Sequence, residues 1–241
     1  MSVWQRLQIR DWSLEFFTLG FIIVFSLIYK AGDLYNKSIV TRFLSGISEV
    51  MNKQFYQYGV SKDQLYIKDN SENYSSYATG RVNVATVNIN FSLVPRQNIF
   101  LWILETAFSF FTGNVVAPED KAEIIITPLA QYDNFISAVV SKLGMNDARK
   151  FNYFLSLCKT TDSPNLPESF VYMSETNEFQ EKITTPELRS SLTLQSANYI
   201  KYIALTDQSV EKPESLRELM PKRRIVISVK AITSQNDLKQ L

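Results

Sequence analysis

The chain contains no histidine, and that absence removes Ser-His-Asp and Cys-His arrangements, histidine-ligated metals and histidine acid–base chemistry. Cysteine is nearly missing as well. Cys158 stands alone in 241 residues, so there is no disulfide framework, as expected in a reducing compartment. Its context, FNYFLSLCK, is apolar and helical, which favours a small core residue over a nucleophile. Only seven glycines occur, Gly80 in ATGR is isolated from the others, and no phosphate-loop pattern is present. Neither sign of charge is in excess: 25 basic residues face 24 acidic ones, so any contact with RNA must be local. Repeats, low-complexity tails and heptad runs are also lacking. Glu119, Asp120 and Glu123 gather near a strand start, where a solvated turn explains them better than a catalytic pair. No catalytic residue, cofactor or metal site is expected.

What the chain does have is one long apolar run, Trp12 to Tyr29. Trp12, Phe16, Phe17, Phe21, Ile22 and Ile23 fill its first part, and Val24, Phe25, Leu27, Ile28 and Tyr29 complete it. As a helix it spans about 27 Å, just enough for a hydrocarbon core of about 30 Å, with Glu15 tolerated in the first turn. A core helix would carry a polar stripe, yet Phe16 to Tyr29 offers only Thr18, Gly20 and Ser26. A cleaved signal needs small residues at its end, where this run has Tyr29 and Lys30. A membrane anchor is the expectation. Arg6 and Arg10 precede it and Lys30, Lys37 and Arg42 follow, a slight bias toward a cytosolic C-terminal side. Asn36-Lys37-Ser38 and Asn73-Tyr74-Ser75 are glycosylation acceptors that test this orientation.

The organisation expected is therefore a short leader (1–11), a transmembrane helix (12–30) and one α+β domain (31–241), with a mixed or antiparallel sheet and packed helices. Residues 36–54 place Ile39, Val40, Phe43, Leu44, Ile47, Val50 and Met51 at helical spacing. A polar loop follows over 68–76. From Val84 to Leu93 the pattern alternates with the two-residue period of a half-buried strand, and Pro95 ends it. Residues 121–128, 170–174, 199–205 and 225–231 read as further strands; 134–143, 146–157 and 186–195 read as helices. Residues 98–116 are dominated by Phe, Trp, Ile and Leu, with Glu105 the only charge. Three readings compete: a core helix over the sheet, a helix in the membrane interface anchored by Phe100, Trp102, Phe108, Phe110 and Phe111, or a second span burdened by Glu105.

Local basic groups are the polar feature with interaction potential. Lys222, Arg223 and Arg224 precede a strand, and Arg149 and Lys150 lie on a helix; either pair of elements offers phosphate contacts, or simply a solvated edge.

A family resemblance rests on LIYKAGDLYNKSIVTRFL, NKQFYQYGV, YSSYATGRVNVATVNINFSLVPRQNIF, LPESFVYMSETNEFQEKI and PKRRIVISVKA. The most specific pieces are the aromatic-x-x-GR approach to the long strand, the RQN that follows it, and the LP-x-S-x-x-x-x-SE segment. Together they resemble the calumin family (coiled-coil domain-containing protein 47), especially its fungal members, over residues 4–231. The resemblance implies an endoplasmic-reticulum protein with a luminal N-terminus, one membrane helix and a cytosolic domain. It further implies a subunit of the complex that serves multipass membrane protein clients at the ribosome-bound Sec translocon. Animal members carry an acidic luminal region linked to calcium; MSVWQRLQIRD has one acidic residue, so calcium binding is not carried over. Family members continue into basic coiled-coil segments, whereas this sequence stops at Leu241, implying a shortened form or ribosome contact through the globular domain alone. The expected function is a non-enzymatic membrane adaptor or chaperone subunit; the alternative is a membrane-anchored lipid-handling or lipid-modifying domain.

Overall fold

The computed structural model describes residues 13–61, 64–112, 117–130, 132–214 and 222–231. The leader, Trp12 and residues 113–116 lie outside them. The apolar run and the amphipathic stretch after it are one unbroken helix, α1, Ser13–Gln54, 42 residues long. No proline or strained residue interrupts the sequence between the two halves, so the backbone ladder simply continues.

Ten strands follow: β1 (Gln57–Tyr58), β2 (Ile67–Lys68), β3 (Asn73–Thr79), β4 (Val84–Ser92), β5 (Lys121–Pro128), β6 (Ser137–Ser141), β7 (Lys159–Thr161), β8 (Phe170–Ser174), β9 (Ile200–Thr206) and β10 (Arg224–Lys230). They form one antiparallel sheet in the order β1-β3-β4-β5-β10-β9-β6-β8-β7, with β2 also paired to β3. Helices interrupt the strands at α2 (Ile99–Phe111), α3 (Met145–Phe151), α4 (Tyr153–Ser156), α5 (Glu178–Ile183) and α6 (Pro186–Ser191). The class is α+β, with one helix among the described residues long and apolar enough to cross a membrane.

Register explains where the core sits. Ile89, Ile124, Ile227, Ile203, Val139 and Tyr172 are successive cross-strand partners from β4 to β8 and face the same side. The C-terminal half of α1 covers that side with Ile39, Val40, Phe43 and Leu44, all buried, and Phe43 meets Phe91 edge-on at 5.3 Å. A second core lies on the opposite face, where Phe154, Leu155 and Cys158 pack on Ala138, Val140, Tyr202 and Val226. It reaches only the β10-to-β8 part of the sheet. The β3–β5 part of this face is polar, with Asn90 and Ser92 exposed.

Three sequence expectations are corrected here. Residues 137–141, read within a helix, are strand β6, buried at every position between β8 and β9. A strand covered on both faces loses the two-residue alternation, so SAVVS looks like any short apolar run. The loop read over 68–76 contains the start of β3, whose Asn73, Ser75 and Tyr77 sit on the polar face of the sheet. The helix read over 146–157 breaks at Asn152, whose extended backbone (φ −122°, ψ 111°) separates α3 from α4. Gly80 has φ +92°, and a Cβ there would stand 2.5 Å from Cβ of Tyr56, so the turn before β4 admits no side chain. Arg81 beside it stacks on Phe55, 5.8 Å from the ring centre.

Candidate functional site

A polar latch joins the apolar helix to the sheet. Gly32 of α1 lies so close to the loop after β4 that a Cβ would be 2.5 Å from the Arg96 carbonyl carbon. One turn later, fully buried Asn36 donates to the carbonyls of Ser71 (2.9 Å) and Val94 (3.0 Å) and accepts from Arg96 (3.0 Å). Arg96 also pairs in a fork with Asp120 at 2.7 and 2.8 Å, which pushes its pKa further up, and its guanidinium lies 5.0 Å from the Tyr35 ring centre. Asp120 in turn accepts from the Val94 amide, and its carbonyl accepts from Ala231 at the end of β10. Outside this cluster Lys68 bonds to Asp33 at 2.5 Å, the main reason its carboxyl titrates below the ordinary range. Glu119 and Glu123 are also engaged, by Lys201 and the Tyr202 hydroxyl. These three carboxylates are therefore structural partners and not the solvated turn expected from the sequence.

Beside the latch runs an exposed apolar surface. No residue of α1 before Gly32 is buried, and Phe25 stacks on Phe100 of α2 at 6.3 Å. Asn98 caps α2 by accepting from the Leu101 amide at 3.1 Å, which fixes where the helix starts. Among its described residues α2 buries none, so the core-helix reading is overturned. Phe100, Trp102, Ile103, Leu104 and Phe108 are exposed, and Phe110 and Phe111 retain 83% and 86% of their surface. Leu101, Glu105 and Ser109, four residues apart, form the partly covered inner stripe.

Under that stripe opens a groove of about 550 Å³. Glu105 forms one wall, and Asp147 and Phe151 of α3 the other; Lys121, Lys230 and Tyr202 line its floor. The Tyr202 hydroxyl bonds to Glu123 and to Asn152, both at 3.1 Å, and burial drives its pKa far up.

The basic residues are dispersed. Lys222, Arg223 and Arg224 border a depression of about 470 Å³ at the start of β10, the end away from the latch. Lys222 is exposed, Arg223 lies 5.5 Å from the Tyr132 ring centre, and Arg224 donates to the Gln208 carbonyl, its pKa lowered by burial. On α3, Arg149 donates to the Cys158 carbonyl at 2.9 Å, and Lys150 stands 5.6 Å from the Phe151 ring centre. Cys158 itself is buried, its thiol pushed up to about 12 by desolvation. Among the described residues no cluster suited to a metal occurs.

Sequence reasoning missed Gly32, Asn36, Arg96 and Asp120 as a unit. Its one trace was the RQN after β4: Arg96 is the latch, Gln97 donates to Glu72, and Asn98 caps α2.

A family model described as the PAT complex subunit CCDC47 matches residues 11–241. The chain is 28% identical over 271 aligned positions to a protein of Saccharomyces cerevisiae named a UPF0674 endoplasmic reticulum membrane protein, aligning 100% of this chain with 66% of that one. It is 32% identical over 250 positions to a protein of the same description from Schizosaccharomyces pombe, covering 98% of this chain and 66% of the relative. The chain thus spans 66% of the length of the curated relatives it matches.

Proposed function

Starting from the fact that the chain belongs to the family of the PAT complex subunit CCDC47, we propose that it is a non-enzymatic, single-pass adaptor of the endoplasmic-reticulum membrane. It holds its sheet on the cytosolic side of the ribosome-bound Sec translocon while multipass clients insert. The observation that carries this reading is α2, an apolar helix with an unburied outer face stacked on the apolar half of α1. Phe25, its partner, lies five residues before Lys30, about 8 Å along the helix. That depth suits a helix lying in the interface, where apolar faces sink about 5–10 Å. The latch then fixes the sheet against the bilayer, leaving the other end of β10, with Lys222 and Arg223, about 20 Å farther along the strand. A lipid-transfer domain calls for an enclosed apolar cavity under α2. The space there is an open groove with charged walls, which favours an adaptor.

Neutralising Lys222 and Arg223 to glutamine is expected to weaken ribosome co-sedimentation and to reduce its log–log salt slope by up to about two units, one per lost phosphate contact. Arg224 is left in place because its guanidinium is bonded inside the fold. Identical sedimentation and slope would remove ribosome docking from this edge.

Orientation has its own reporter. Asn36 is buried and fully engaged, but Asn73 is exposed at the start of β3. On a cytosolic sheet Asn73 stays unmodified in native microsomes; an endoglycosidase-sensitive glycan there reverses the topology.

A further inference from the structure

The groove under α2 contains an arrangement that the adaptor role leaves unexplained. Lys121 and Lys230 are direct cross-strand partners on β5 and β10, and both face the groove. Their Cβ atoms are therefore about 5 Å apart, a separation at which like charges destabilise a sheet. Compensation is partial: Lys121 reaches Glu123 at 3.5 Å and lies 6.0 Å from the Tyr202 ring centre, and among the described residues Lys230 has no acidic partner. Lys201, the third lysine of the lining, is already paired with Glu119. Across the groove, Glu105 and Asp147 lack a basic partner among the described residues. At the floor, the fully buried Ser228 hydroxyl lies beside the Tyr202 hydroxyl, its polar neighbour. The groove thus has an incompletely neutralised lysine pair on its floor and, on its two walls, the carboxylates of Glu105 and Asp147 without a basic partner; Glu72, also in the lining, is taken up by Gln97.

We infer that this groove seats the headgroup of a zwitterionic phosphoglyceride, the phosphate between Lys121 and Lys230 and the ammonium between Glu105 and Asp147. Position selects a lipid over a soluble anion. Glu105 belongs to the inner stripe of α2, whose outer face carries Phe100, Trp102 and Phe108, so the groove mouth lies at the level where headgroups are found. Its volume of about 550 Å³ lies within the range of small-molecule sites, about 300–1,000 Å³. The mixed lining matches one phosphate and one ammonium, whereas a lipid with only negative charge would meet the two carboxylates unpaired. This inference rests on α2 lying in the membrane interface. It adds a bound lipid as a footing for the sheet, held in place and not transferred.

The test uses the full chain in maltoside, delipidated and then titrated with dioleoylphosphatidylcholine, with bound lipid counted by native mass spectrometry. The wild type is expected to retain one phosphatidylcholine, and Lys121→Gln/Lys230→Gln to bind it at least tenfold more weakly. Without lipid the double variant should melt no lower than wild type, since a like-charge pair has been removed. Lys121→Arg/Lys230→Arg should keep binding, and covers the case in which the glutamine variant misfolds. Equal retention by wild type and the glutamine variant overturns the site. Competition by dioleoylglycerol as strong as by phosphatidylcholine overturns headgroup recognition, and competition by inorganic phosphate at equal concentration overturns the lipid. Phosphatidic acid binding as tightly as phosphatidylcholine overturns the ammonium half. Quenching of Trp102 by brominated lipid in bilayers separates the two readings: if it persists while lipid is not retained, only the headgroup site has failed.

Discussion

Replacing Gly32 with alanine is expected to lower the melting temperature of the full chain by about 6–12 °C. In an ordinary helix this exchange stabilises by up to about 1 kcal/mol, because glycine is the poorer helix former. Here the sign reverses. The new Cβ would sit 2.5 Å from the Arg96 carbonyl carbon and 2.5 Å from the Gln97 amide nitrogen, both backbone atoms that no rotamer change can move aside. Relief requires α1 to back away from the loop, which stretches the Asn36 bonds to Ser71 and Val94 and the Arg96 bond to Asn36. Overpacking of this kind costs about 3 kcal/mol, and a chain of this size loses about 2–4 °C per kcal/mol. Gly20 is the internal control: nothing lies within 4 Å of its Cβ position, so Gly20→Ala should leave the melt unchanged or slightly raised. A Gly32→Ala melt matching that of Gly20→Ala would show that α1 does not seat on this loop.

Charging the outer face of α2 should produce the second large effect. With Trp4 and Trp12 replaced by phenylalanine, Trp102 is the only tryptophan left of the three. In bilayers it should be quenched by lipids brominated near the carbonyl end of the chain and protected from aqueous iodide. Phe110 and Phe111, nearly unburied, each contribute about 1.5–3 kcal/mol when transferred from water to the interface. Changing both to aspartate removes that drive and adds two charges, enough to shift α2 out of the interface by more than tenfold. Brominated-lipid quenching should then collapse while iodide quenching rises. With α1 as the proposed anchor, recovery in the membrane fraction should be unaffected. Equal iodide access to Trp102 in the parent and the charged variant would place α2 in water from the start.

These effects concern the parts that sequence reading resolved least. Strands were legible where the two-residue alternation is clean, as from Val84 to Leu93 (β4), or where β-branched and aromatic residues dominate, as in Lys121–Pro128 (β5) and Phe170–Ser174 (β8). β6 was not, because a strand buried on both faces carries no alternation to read. Residues 98–116 show the opposite difficulty. Their composition is that of a core helix, and only the arrangement of the sheet, which leaves α2 with no apolar surface to cover, turns its outer face outward. The latch was hidden for a third reason. Asn36, Arg96 and Asp120 are far apart in sequence, and each is an ordinary polar residue until folding bonds them together. The short motifs that carried the family resemblance mark positions of this kind: Gly80 before β4, Arg96 to Asn98 after it, and Leu166 to Ser174, where Leu166 and Ser174 are buried.

With α1 as the proposed anchor, its continuity makes it a lever. Its 42 residues form a rod of about 63 Å, of which about 36 Å extends beyond Lys30 along the sheet. Membrane helices adjust to bilayer thickness by tilting, typically by about 20°. With the latch at Gly32 and Asn36 joining rod and sheet, a change in tilt of about 10° swings the far end of the sheet sideways by about 6 Å. On the proposed anchoring of α1, bilayer thickness would set the lateral position of the face that Lys222 and Arg223 present.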